Sequence, residues 1–243
     1  MIIQPSLRIG TAGWSVPPRY AGAVPATGSH LERYAHGLNA VEINSSFYRP
    51  HQRKTYERWA RSTPAGFRFA VKMPKAMTHE HGLADCSALL DRFVTEAAGL
   101  ADQLGVFLVQ LPPKAAFDAR IADHFFRDLR ARSETPVVLE PRHASWFTPE
   151  VDSWLTQRRI ARVAADPAPV AGAGEPGGWN RLVYYRRHGS PRIYFSDYDA
   201  DALGLLKSSL DRYAARGVAA WCIFDNTALG AAFGNALTLT KSA

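Results

Sequence analysis

Short apolar runs rich in β-branched and aromatic residues recur along the chain, and six of them stop in charged or amide side chains: VEINSSFY, FAVKMP, FLVQLPP, VVLEPRH, VAADP and VYYRRHG. A strand core does not tolerate such endings. A parallel α/β barrel does, because its functional side chains sit where the strands finish. Between these runs the apolar positions change to helical period. Leu31, Tyr34, Ala35 and Leu38 share one face over residues 30–38, and residues 54–61, 87–103, 118–132, 149–159, 201–216 and 230–240 read as further helices. Asp118 caps one of them, Pro149 opens another, and Gly105 and Gly217 follow the ends of two more. LRIGTAGW is the first strand, after which Pro17-Pro18 forbids an immediate helix, and AAWCIFDN is the eighth. Residues 167–180, rich in glycine and proline, read as a flexible crossing or lid with little helix. The pattern predicts an α/β fold, a single TIM-type (β/α)8 barrel over residues 1–243, with one irregular unit between strands six and seven.

Composition narrows this picture. The 243 residues suit a barrel of about 250. A hydrophobic share of 47% with 21% charged residues supplies a core and excludes global disorder. No apolar run approaches the roughly 18 residues of a membrane span. MIIQPSLRIG lacks both the basic start and the cleavage site of a secretion signal, so the expected location is the cytoplasm, without membrane partners. Cys86 and Cys222 have no metal-type spacing and read as reduced thiols. The net charge of +7, carried mostly by arginine, favours an anionic ligand, although the basic residues are spread along the chain.

Side chains alternate along a strand, so Glu140 and Arg142 share one face and Pro141 and His143 the other. The same parity groups Glu42 with Asn44 and Arg186 with His188. Strand neighbours in a barrel then predict Glu42 beside Lys72 and Arg142 beside Asp166. The candidates for moving a proton are Glu140, Asp166, His188 and Lys72. Those for holding a substrate are Trp14, Glu42, Asn44, Tyr48, Gln110, Arg142, His143, Trp146, Arg186 and Asn226. Any one ion pair could simply close the barrel end. The whole set is too costly to desolvate for closure alone, and it points to a ligand site. Trp14, Phe47, Tyr48, Trp146 and Tyr185 crowd the rim, either to stack on a base or sugar or to pack loops.

His79, His143 and His188 with Glu42, Glu140 and Asp166 could ligate a divalent metal, but no His-x-x-x-His pair is present and Lys72 and Arg142 compete for the carboxylates. No metal ligand is assigned and no cofactor predicted; a divalent metal is the weaker reading. Phosphate loops of the GxxxxGK[ST] or strand-linked GxGxxG types are absent.

The motifs GTAGW, VEINSSFYRP, FAVK, QLPP, EPRHASWF, AADP, RRHG and FDNT stand in the order found in the YecE-like family, domain of unknown function 72, which the chain resembles from roughly Ile9 to Leu237. The resemblance implies a TIM-type barrel and no established activity. It covers the candidate residues above and adds Phe47, Thr78 and His79. The chain departs from the family pattern at Asp225, where a second amide usually precedes Asn226, and it is trimmed between strands six and seven.

The leading functional reading is an enzyme acting at the barrel mouth on a phosphorylated or otherwise anionic substrate, with a phosphodiesterase-like hydrolase among the candidates. The partners would be an anionic small molecule or nucleic acid. The alternative is a nucleic-acid-binding module without chemistry. A third reading, carbohydrate processing, requires Glu42 and Glu140 to face each other across about 5–10 Å.

Overall fold

The computed structural model describes residues 7–241, so the first six residues, on which the reading of the N-terminus partly rests, lie outside the described residues. Parallel ladders join β1 (Leu7–Ala12), β2 (Ala40–Ile43), β3 (Arg68–Lys72), β4 (Leu104–Gln110) and β5 (Val137–Glu140) in chain order. β6 (Ile160–Arg162) continues from β5, whereas β7 (Ala164–Asp166) pairs with β9 (Leu182–Arg187). β9 in turn pairs with β10 (Ala219–Phe224), which returns to β1. Only Val163 separates β6 from β7, so they are two halves of one stave and the sheet closes through them. The eight predicted staves are present, the sixth divided, and β8 (Gly177–Gly178) adds a short antiparallel pair to β6.

Helices α1 (His30–Gly37), α2 (Arg53–Arg61), α3 (Ser87–Ala97), α4 (Ala119–Arg132), α5 (Pro149–Gln157), α6 (Ala200–Ala215) and α7 (Ala231–Lys241) return the chain between staves. Their starts follow local chemistry. Asp118 accepts from the backbone N–H of Arg120 and Ile121, and Ser29 with Glu32 forms a reciprocal capping box. Among the described residues no helix is long and apolar enough to cross a membrane.

Of three local expectations the first and third are corrected, and the second, little helix in the glycine- and proline-rich crossing, agrees with the structure. Pro17-Pro18 does not leave plain loop: a 3-10 helix, Pro18–Ala23, begins there, since a proline at the first helical position gives up no bond. The segment after β7 contains no helix and ends in β8. The predicted helix 87–103 stops as an α-helix at Ala97, continues as a 3-10 segment, and turns at Ala101 with φ 48°.

Gly105 therefore caps no helix and lies inside β4, where a Cβ would come within 2.5 Å of the Trp221 ring. Trp221 fills the barrel interior and stacks on Tyr184 at 5.8 Å. Substituting Gly105→Ala is expected to destabilise the protein by about 1–3 kcal/mol, the usual cost of overpacking. The urea-unfolding midpoint measures this, and an unchanged midpoint would show that the ring yields freely.

The interior is apolar at its lower levels. Ala40, Ala70, Leu108, Val138, Tyr184 and Ile223, one from each of six staves, belong to one buried cluster inside the sheet. A larger cluster packs between the sheet and the helices.

Candidate functional site

Each of those six interior residues is followed two positions later by a polar one: Glu42, Lys72, Gln110, Glu140, Arg186 and Asp225. The two-residue period of a strand keeps them on the same inner face, so the apolar filling is capped by a polar layer at the C-terminal end of the staves. All six are buried, with Glu42 and Arg186 fully shielded from solvent.

Arg186 is the hub of this layer. Its Nε and Nη2 donate to the two oxygens of Glu42 at 3.0 and 2.7 Å, forming a bidentate pair. Its Nη1 donates to Glu140 Oε2 at 2.6 Å, and Nη2 also donates to Asp225 Oδ2 at 3.0 Å. Tyr184 Oη donates to Glu42 Oε2 at 2.9 Å. A guanidinium is suited to this position because it is planar, stays charged and offers five donors in fixed directions. Burial disfavours its charge, yet Glu42, Glu140 and Asp225 more than reverse this and hold its pKa well above the usual value.

His188, two residues beyond Arg186 on the same face, lies between two carboxylates. Nδ1 is 3.0 Å from Asp225 Oδ2 and Nε2 is 3.3 Å from Glu140 Oε1. Burial pushes this imidazole down, but Glu140 and the hydrogen bonds from both acids outweigh it, and the net shift is upward. As an imidazolium it donates from both nitrogens. Glu140 Oε1 also accepts from Gln110 Nε2 at 2.9 Å and Arg142 Nη2 at 3.1 Å. Burial would raise the Glu140 carboxyl; Arg186 and His188 overcome it and hold the group well below the carboxylate range. Asp225 is likewise lowered, against its burial, chiefly by Arg186 and His188.

Lys72 differs from its neighbours. Its Nζ makes no hydrogen bond or ion pair among the described residues and sits 4.1 Å from the centroid of the Phe47 ring. Burial first, then the like charge of Arg186, lowers its pKa to about 8, although the three carboxylates pull the other way. Phe47 is flanked edge-on by Tyr48 and His79.

A cavity of about 380 Å³ opens over the cluster, with Glu140, Arg142, His188, Pro167 and Tyr194 in its wall. At the other end of the barrel, a hollow beside Arg130 and Arg158 offers no comparable set. Arg130 donates to the carbonyls of Thr135 and Arg159, and Arg158 is paired with Asp123.

The remaining predicted residues lie elsewhere. Asp166 stands opposite Arg187, not Arg186, so it faces away from the barrel interior; it accepts from Tyr198 Oη at 2.6 Å. Arg142 is accordingly paired with Glu140, not with Asp166, and Glu42 with Arg186, not with Lys72. His143 accepts from the Ser145 N–H and caps a 3-10 turn. Trp146 is buried against Phe117 and donates to the Ala115 carbonyl. Asn226 ties Ser196 and Asn235 together. Trp14 packs on Trp59, while Tyr48 stands on the rim, 72% exposed. Asn44 sits just past β2, its Oδ1 shut off from solvent without a partner.

Glu42 and Glu140 do not face each other across open space. Both grip Arg186, whose guanidinium fills the interval a sugar ring would need. Among the described residues no group of three or more His, Cys, Asp or Glu is arranged to hold a metal ion. Asp225 is the member of the cluster that the sequence reading left out. Extending the parity of Trp221 and Ile223 by one step would have placed it on the inner face.

The fold and site define an α/β barrel whose C-terminal mouth is closed by a buried ionic cluster around one arginine. The chain belongs to the family described as protein of unknown function DUF72, whose model matches residues 8–243. It is 31% identical over 173 residues to the UPF0759 protein YecE of Escherichia coli (strain K12), a match covering 68% of this chain and 61% of that protein. The chain thus spans about three-fifths of the length of that relative. Crystal structures of DUF72 family proteins share the fold. One from Enterococcus faecalis V583 matches with a TM-score of 0.82 at 20% identity, covering 97% of this chain and 94% of that one. One from Thermotoga maritima MSB8 matches with a TM-score of 0.80 at 23% identity, covering 97% and 98%.

Proposed function

We propose that the barrel mouth is the active site of an enzyme acting on a small anionic substrate of carboxylate or phosphate type. The observation that carries this reading is a charge imbalance. Arg186, Arg142, Lys72 and protonated His188 meet only Glu42, Glu140 and Asp225, and the unmatched cation is Lys72. A buried charge without a counter-ion is costly, and an incoming anion would relieve that cost.

Arg142 is the only member of the cluster with substantial solvent exposure, 28% of its side chain, and it lines the cavity. Only part of its guanidinium is committed to Glu140, which leaves donors for a carboxylate or phosphate. His188, held as an imidazolium against the same cavity, can hand a proton to a developing oxyanion. Glu140 binds its proton too weakly to act as the base, so its part is to fix Arg142 and His188. Lys72 keeps a proton affinity close to neutral pH and can accept one.

Thermal unfolding in the presence of inorganic phosphate or malonate tests this. Both anions should raise the Tm of the wild type in a concentration-dependent way, and Arg142→Gln should weaken the apparent affinity at least ten-fold. Equal shifts in the two proteins, or none in either, would refute an anion site at Arg142.

A further inference from the structure

Resting on that reading, we infer that Lys72 is a covalent residue that forms an imine with substrate, and that the substrate carries a carbonyl group beside its anion, as in an oxo-acid or a phosphorylated aldehyde or ketone. The argument begins with what surrounds each amine. The chain has six lysines. Lys75 and Lys207 are paired with Glu80 and Asp211, and Lys54, Lys114 and Lys241 are exposed on the surface. Lys72 alone ends a barrel stave and is buried, to 6% exposure, with an Nζ that makes no hydrogen bond or ion pair among the described residues.

A structural lysine would be matched to one of the three carboxylates nearby. These are instead all gathered by Arg186, and the Lys72 amine is left against the Phe47 ring. An aromatic face attracts the ammonium form without taking its proton or tying up the nitrogen lone pair when the group is neutral. Burial and then the like charge of Arg186 bring the ammonium down to about 8, so that roughly a tenth of the amine is neutral and nucleophilic at pH 7.

The step balances within the cluster. The neutral amine attacks the carbonyl carbon, forming a C–N bond while the C=O pair moves to oxygen and takes the proton of His188. Loss of that oxygen as water, with the proton shed by nitrogen, breaks the C–O bond and leaves a protonated imine. The iminium carries the positive charge that the ammonium carried, and His188, which gave up its proton, regains one from solvent, matching the proton the ammonium released, so the charge of the buried layer is restored. As an electron sink it would acidify the neighbouring carbon, and hydrolysis returns the free amine.

The test is reductive trapping. Wild-type protein is incubated with glyoxylate, which joins an aldehyde to a carboxylate, or with acetaldehyde, which lacks the anion. Sodium cyanoborohydride is present, and the modified lysines are located by peptide mass spectrometry. Glyoxylate should label Lys72 at least ten-fold faster than Lys54 or Lys114, with a rate that rises with pH to a midpoint near 8. Lys72→Arg should lose only that label. Labelling of Lys72 no faster than of the surface lysines overturns the inference, and phosphate binding as measured above would still uphold the anion site. Equal labelling by glyoxylate and acetaldehyde, unchanged by Arg142→Gln, would keep the covalent lysine and remove the anion from the substrate.

Discussion

Replacing Arg186 by methionine should destabilise the barrel by about 3–5 kcal/mol or more, the cost of removing one partner from a buried ionic group. The expectation is at the upper end because one guanidinium serves three carboxylates, one of which, Glu42, has no other cation in contact. Glu42 would retain only the Tyr184 hydroxyl, and Asp225 only His188. Arg186→Lys should rescue little, since an ammonium cannot present two parallel donors to Glu42 and reach Glu140 as well. Adding Glu42→Gln and Asp225→Asn to the methionine variant should recover much of the loss. The pH dependence should also invert. In the wild type Glu140 and Asp225 are held below their unfolded pKa values, so their contribution is present above about pH 4 and lost as pH falls through the folded values. In Arg186→Met the stranded carboxylates should gain stability on protonation. Urea unfolding between pH 2 and 8 measures both effects, and a loss below 1 kcal/mol at pH 7 would mean that the cluster reorganises around another cation.

The barrel was legible because its signals are local. Each stave is a short apolar run, each helix carries its own period, and caps such as Asp118 and Pro149 stand at the boundaries. The inner layer was legible by parity wherever the strand was unambiguous, which is why Glu42, Glu140 and Arg186 could be grouped from their spacing alone. What the sequence did not carry was pairing across the barrel. Glu42 and Arg186 are 144 positions apart, and a neighbour-strand rule offers Lys72 as the partner of Glu42 instead. A polar residue at a strand end is also no guide to the inner face by itself: in the sixth stave Ala161, Val163 and the cavity-lining Ala165 face inward, so Asp166 falls on the outer side with Arg187. The split of the rim aromatics was hidden for another reason: Trp146 and Trp14 have the same composition signal as Tyr48, yet loop packing buries the first, half-buries the second and leaves the third in solvent.

Lys72→Met should make the protein more stable while removing the fast aldehyde labelling at position 72 and leaving only the slow labelling of surface lysines. The ammonium is lowered from 10.5 to about 8 on folding. Keeping it protonated inside the folded barrel therefore costs about 3 kcal/mol at neutral pH, at 1.36 kcal/mol per pKa unit. Between pH 8 and 10.5 the unfolded chain binds more protons at this position than the native one, so the stability of the wild type should rise with pH across that window as the cost fades. His188 acts in the opposite sense, since its raised pKa gives a contribution that is full below about 6.5 and lost as pH rises through the folded value. The difference between the wild type and Lys72→Met removes most of that background. It should be about 3 kcal/mol in favour of methionine at pH 7 and close to zero at pH 10.5. A methionine variant less stable than the wild type at pH 7 would make Lys72 a structural residue, held by the Phe47 face and the field of the three carboxylates. A variant more stable yet unreactive leaves the opposite conclusion, because a buried amine that weakens its own fold must be kept for what it does to a ligand.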